Sequence, residues 1–227
     1  MFQGDVLRKA RLRLNLTQAA LAQLLEVSQG YVSLLERGQR RYSGRLAKKL
    51  VAVLKLEPTA LPVSSSVKPA TPATTARALG RLGYPGFAHL GRARMENPGE
   101  TLLSVLVSDK PEARSVEGLA WLLLRYRNLD WKWILNQAKV HDAQNRLGYV
   151  VALARGLADR KGDPLAAATL RHWEETLEKS KLAREEAFGG TALTEAERRW
   201  LRLQQSPEAA RWNMLATTAA EHLTNAY

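Results

Sequence analysis

The sequence predicts an all-α protein in two parts: four or five short N-terminal helices, a linker, then a C-terminal helical bundle. Three observations carry that prediction. Apolar residues recur at three- and four-residue spacing along most of the 227 residues, while period-two alternation is scarce. Ser, Thr, Asp or Asn, the residues that cap helix starts, stand just ahead of most of these segments. The stretch 57–75, EPTALPVSSSVKPATPATT, has no surviving apolar period. It buries too little surface to offset its ordering entropy, so it reads as a partly extended linker, or as a loop packed on one of its neighbours. All six tryptophans (Trp121, Trp131, Trp133, Trp173, Trp200, Trp212) lie beyond it. The boundaries are therefore 1–57, 58–75 and 76–227.

Before the linker, Val6, Leu7, Ala10 and Leu14 share helical spacing, with Arg8, Lys9, Arg11 and Arg13 on other faces. Thr17 caps a second helix to about Leu25. Ser28 caps a third through Arg37, which Gly38 stops. Ser43 opens a fourth, whose apolar face is Leu46, Leu50, Val53 and Leu54.

After the linker, Asn97-Pro98-Gly99-Glu100 combines a cap, an N1 proline and a capping-box acid ahead of LLSVLV, a run a buried strand would also fit. Ser115 opens SVEGLAWLLLRY and Asp130 opens DWKWILNQAKVH. A helix is expected over about 144–158. Asp163-Pro164, Thr194 with Glu197, and Ser206-Pro207 open three more.

Composition narrows the function. No apolar run approaches the roughly 20 residues a bilayer requires, and the N-terminus has neither the basic charge nor the apolar core of a signal peptide. Cysteine is absent, which excludes disulfides, thiolate zinc sites and thiol catalysis and fits a cytoplasmic setting. The net charge is +12 and the pI near 10.2, so polyanions, nucleic acid first, are the expected partners. Residues 1–61 hold 11 Lys and Arg against 4 Asp and Glu, a net of +7, leaving +5 for the rest. The N-terminal part is the expected polyanion-binding region.

Within it, TQAALAQLLEVSQGYVSLLERG places two short helices about four residues apart. Leu21, Ala22, Leu24 and Leu25 face inward from the first of them, Val32 and Leu35 from the second. A tight turn then holds the pair at a steep angle, and Gln29, Gly30 and Ser33 face out. Such a surface suits the major groove of double-stranded DNA: a helix fits its width, an amide bonds bidentately to adenine, and glycine permits close approach. Helix N-termini and basic flanks supply phosphate contacts.

Through Thr17-Gln18, Leu21-Ala22, Val27-Ser28, Val32-Ser33, Leu35-Glu36 and Gly38, with Leu46 and Leu54 behind, residues 4–57 resemble the phage repressor/Cro-like (XRE-type) helix-turn-helix family. The resemblance implies that Gln18 grips a phosphate and buttresses the neighbouring reading side chain. It places Ser28, Gln29, Gly30 and Ser33 on the base-reading face and sets Arg40 and Arg41 against the DNA backbone. Tyr31 either joins them or packs. Leu34 either meets a thymine methyl or packs. Arg8, Arg11 and Arg13 are expected on a solvated face rather than on phosphates. Glu26 stands where the family often has Gly, at a turn position that favours positive φ, and this puts the turn's shape in question. The family also implies a homodimer reading an inverted repeat.

The C-terminal part shows no catalytic or metal-binding constellation. His89, His141, His172 and His222 are isolated, H-W-E-E at 172–175 fits an ordinary amphipathic helix better than a metal pair, and GYPGF at 83–87 is a turn. No nucleophile elbow appears, and no cofactor is implied. The chain is not expected to be an enzyme. Its many Trp, Tyr and Leu residues are expected mostly in the core, with a protein partner as the other use for them. LLLRYRNLDWKWILNQAKVHDAQNRLGYVVALAR, with its "LDW" and "NRLGY", is similar to the C-terminal part of AbiE-type (type IV) antitoxins. That resemblance implies an autorepressing antitoxin of a nucleotidyltransferase-like toxin as the alternative to a repressor.

Overall fold

The computed structural model describes residues 4–40, 42–64, 66–90, 96–108, 113–188 and 193–223. It divides into two units, residues 1–64 with 95–97 and residues 65–94 with 98–227. The described residues are nearly all helical, with one two-residue parallel strand pair, Glu186–Ala187 against Met214–Leu215.

The first unit holds α1 (Gly4–Arg13), α2 (Gln18–Leu25), α3 (Gln29–Glu36) and α4 (Gly44–Leu54), the last three starting where the caps require. Thr17, Ser28 and Ser43 each accept a hydrogen bond from the backbone N–H three residues on, which satisfies a donor the helix cannot use internally. Leu7 and Ala10 of α1, Leu21, Ala22 and Leu25 of α2, Val32 and Leu35 of α3, and Leu46, Leu50 and Leu54 of α4 make one core. Val6 and Leu24, expected to face inward, are exposed. The other face of α4, Ala47 and Val51, is covered by Leu61, which follows a 3-10 turn at Pro58–Ala60. The Asn97 amide donates to Thr59 O (3.1 Å) and Leu61 O (2.6 Å) and pins that turn.

The linker prediction therefore needs trimming at both ends. Residues 58–61 belong to the first unit because Leu61 finds an apolar face to cover. At the other end, Thr71 caps α5 (Pro72–Leu82) through a reciprocal bond with Thr74. Thr71-Pro72 is a cap followed by an N1 proline, a signal hidden by the Pro- and Thr-rich composition around it.

The second unit continues with α6 (Pro98–Leu106), α7 (Ala113–Arg125), α8 (Trp131–Val140), α9 (Gln144–Arg160), α10 (Pro164–Glu178), α11 (Glu195–Leu203) and α12 (Pro207–Arg211). The LLSVLV run is helical. Asp130, Asp163, Thr194 and Ser206 cap α8, α10, α11 and α12. The axis of this unit is α9. It is buried at every position from Leu147 to Ala154 and again at Leu157 and Ala158, and a helix apolar on all sides needs neighbours on all sides. It has them in α7, α8, α10 and α12. Trp121, Trp131 and Trp212 are buried, and Trp131 stacks on half-buried Trp173 at 5.0 Å. Trp200 is exposed.

Candidate nucleic-acid interface

The α2–α3 turn has the shape the motif requires, although it contains a glutamate where glycine would be cheapest. Glu26 adopts φ 58 and ψ 46, its N–H donates to Gln23 O, and the Val27 N–H donates to Ala22 O. These bonds close the carbonyl end of α2 in the manner of a left-handed cap. A non-glycine residue in this region costs on the order of 1 kcal/mol. The Glu26 carboxylate is held 2.6 Å from Lys49 Nζ of α4, and this hydrogen bond keeps its carboxyl below the usual carboxylate range. The doubt raised by Glu26 about the turn's shape is thus resolved in favour of the ordinary geometry.

The turn presents α3 with Val32 and Leu35 buried and with Ser28, Gln29 and Gly30 exposed at its amino end. Ser28 Oγ is occupied as the cap, accepting from Tyr31 N at 3.2 Å. A Cβ built on Gly30 would meet nothing within 4 Å, so the interior of the unit makes no demand for glycine there. Tyr31 is half-buried and packs against the core, and Ser33 and Leu34 are half-buried beside it. Arg40 is exposed. Arg41 lies outside the described residues.

Behind this surface is a charged cluster that the sequence reading placed elsewhere. Arg11 is buried, not solvated. Its Nε lies 2.6 Å from Glu36 Oε1, its Nη2 3.0 Å from Glu36 Oε2, and its Nη1 donates to Leu16 O at 2.7 Å. The Gln18 amide donates to Glu36 Oε2 at 2.9 Å. In this structure the Gln18 side chain is thus bound to the carboxyl end of α3. Burial pushes the Glu36 carboxyl up, but the hydrogen bonds from Arg11 and Gln18, with the Arg11 charge, bring it below the usual range. The Glu36 hydrogen bond likewise raises Arg11. One carboxylate thus ties α1, the start of α2 and the end of α3 together, fixing the angle at which α3 is offered. The signal was in the sequence: an acid beside Val32 and Leu35, and an arginine beside Ala10, sit on otherwise apolar faces. Arg8 and Arg13 remain exposed, as expected.

In the second unit Glu174 of the H-W-E-E stretch serves the scaffold. Glu174 is 1% exposed and pairs with Arg155 (2.6 Å) and Arg211 (3.2 Å), and the His172 ring meets the edge of Trp173. Among the described residues no helix is long and apolar enough to cross a membrane.

Residues 7–61 match the family model for the helix-turn-helix. No curated protein and no solved structure matches the chain.

Proposed function

Taking residues 7–61 as an XRE-type helix-turn-helix DNA-binding domain of a transcription regulator, we propose that the chain is a dimeric repressor. It reads one half of an inverted repeat with each copy, through the amino end of α3. The observation that carries this reading is the exposed Ser28-Gln29-Gly30 edge, where the interior leaves Gly30 unconstrained. In this reading Gln29 would bond bidentately to adenine, Gly30 would let the helix approach the base edges, and Arg40 and Arg41 would meet the phosphates. Two such edges, one helical turn apart, specify a palindrome. We assign the chain no catalytic role.

The second reading is an antitoxin. It rests on the likeness of residues 122–155 to AbiE-type antitoxins, and the residues that carry that likeness point inward. Asp130 caps α8. Asn145 exchanges hydrogen bonds with Leu182 and Arg146 donates to Leu106 O. Gly148 lies under Trp212 and Tyr149 donates to Thr218 O. Such residues speak for a common framework, so a toxin would have to engage the outer surface of the unit.

Footprinting on DNA upstream of the protein's own reading frame tests the first reading. The expected outcome is protection of two half-sites at moderate ionic strength. No preference over scrambled duplex would end it. Co-purification with the product of an adjacent nucleotidyltransferase-like gene would favour the second.

A further inference from the structure

Helix α11 is well formed yet buries none of its residues. Its inner side, Leu201 and Arg198, is half-buried against the rest of the unit. Arg202 locks it in place through Glu185 (2.7 Å), and Thr194 and Glu197 cap it reciprocally. The opposite side carries Ala196, Trp200 and Leu203 at i, i+4 and i+7, one stripe of the helix. Trp200 is 58% and Leu203 82% exposed. Single exposed leucines are ordinary, but an exposed tryptophan, with a leucine and a small alanine in register beside it, is an anchor of the kind found at the centres of interfaces.

The charges along this face select the occupant. Glu195 lies at the amino end of the flank and Arg199 one turn later, 3.5 Å apart and both largely exposed. A partner of a single charge sign would set like charge against either Glu195 or Arg199. A second α11 running antiparallel sets Arg199 of each copy beside Glu195 of the other. It also sets the small Ala196 opposite the large apolar residues.

We propose that α11 is the docking face for a second copy of this chain, packed antiparallel through Ala196, Trp200 and Leu203 about a two-fold axis. The proposal rests on the dimeric-regulator reading and supplies the surface that reading lacks. A two-fold contact uses the same patch on both copies, as a self-complementary helix requires.

Sedimentation equilibrium of the full chain tests it. Leu203→Glu is expected to weaken self-association at least about tenfold with an unchanged circular dichroism spectrum, since the side chain contacts solvent. Glu195→Arg and Arg199→Glu are each expected to weaken it, and mixing the two single variants to restore most of it, a rescue that repair of the pair within one helix would not give. The proposal is overturned if the wild-type chain is monomeric, if Leu203→Glu leaves the dimer intact, or if α11 instead drives pelleting with phosphatidylserine vesicles. A gel shift on the operator separates the two levels. Two-half-site binding by a dimer indifferent to α11 overturns this surface alone, whereas loss of all operator preference overturns the function.

Discussion

Gly30, the second residue of α3, and Gly148, in the interior of α9, are both helical glycines, less favourable to their helices than alanine by up to about 1 kcal/mol. Their surroundings are opposite. A Cβ on Gly148 would lie 2.3 Å from Trp212 Cε3, inside a ring that is fully buried. A Cβ on Gly30 would touch nothing. The first glycine is explained by the protein's own packing. The second is not, and the proposed function accounts for it by a base edge that approaches from outside. The same contrast runs through the two motifs. NRLGY turns its asparagine, arginine, glycine and tyrosine inward to hold the second unit together, while Ser28-Gln29-Gly30 turns outward. A motif alone does not distinguish architecture from function; the direction its side chains take does.

The largest expected effect tests whether the head is held by its charged cluster as the second unit is held by apolar packing. Glu36→Ala leaves Arg11 buried without its carboxylate, a change that costs about 3–5 kcal/mol in buried ion pairs. Hydrogen exchange should show the amides of residues 4–61 losing protection while α9 keeps its own. The pH dependence follows from the same cluster. The Glu36 carboxyl is depressed in the folded state, so its contribution is present at neutral pH and is lost as pH falls through that depressed value, below the usual carboxylate range. Protection of the head that is unaltered by acid or by Glu36→Ala would mean that the apolar core alone holds it.

Next in size is Gly148→Ala. The added methyl group would press on the fully buried ring of Trp212, so overpacking of about 1–3 kcal/mol is expected. Urea unfolding followed by tryptophan emission reports it directly, because all six tryptophans lie in the second unit. Operator affinity per folded molecule should be unchanged. An unshifted midpoint would show that Trp212 is not seated on α9.

Gln29→Ala acts on the outward motif. About 1–3 kcal/mol of affinity should be lost on the operator and little on random duplex, measured by fluorescence anisotropy at fixed salt. Equal losses on both would remove Gln29 from base reading.

These contrasts also explain what could be read from the chain unaided. The starts of α2, α3, α4, α8, α10, α11 and α12 were legible because a capping side chain acts three residues away, a range that sequence displays. The exposed Ser28-Gln29-Gly30 edge of α3 was legible because Val32 and Leu35 fix the opposite side, whereas Ser33, expected to face out, is half-buried. The Arg11–Glu36 pairing was not, since its partners are 25 residues apart and the place of each charge on an apolar face signals burial without naming a partner. The ordering of residues 58–61 depends on α4 and on distant Asn97, and α5 was hidden because Thr71-Pro72 stands in a run of the same residue types. The 186–187 and 214–215 strands are two residues each, too short for any period to register.

Gly30→Ala is the smallest expected effect and the one that bears most directly on the comparison, because it should move two quantities in opposite directions. Alanine is the better helix former, and the site is open, so the head should gain roughly 0.5–1 kcal/mol. The added methyl group points from the exposed face of α3, where α3 would meet the base edges, so operator affinity should fall although the fold is more stable. Thermal unfolding by circular dichroism and operator titration on one preparation measure both. A variant that gains stability and keeps its affinity would show that α3 stands off from the groove at this point, and the open space around Gly30 would then carry no functional meaning.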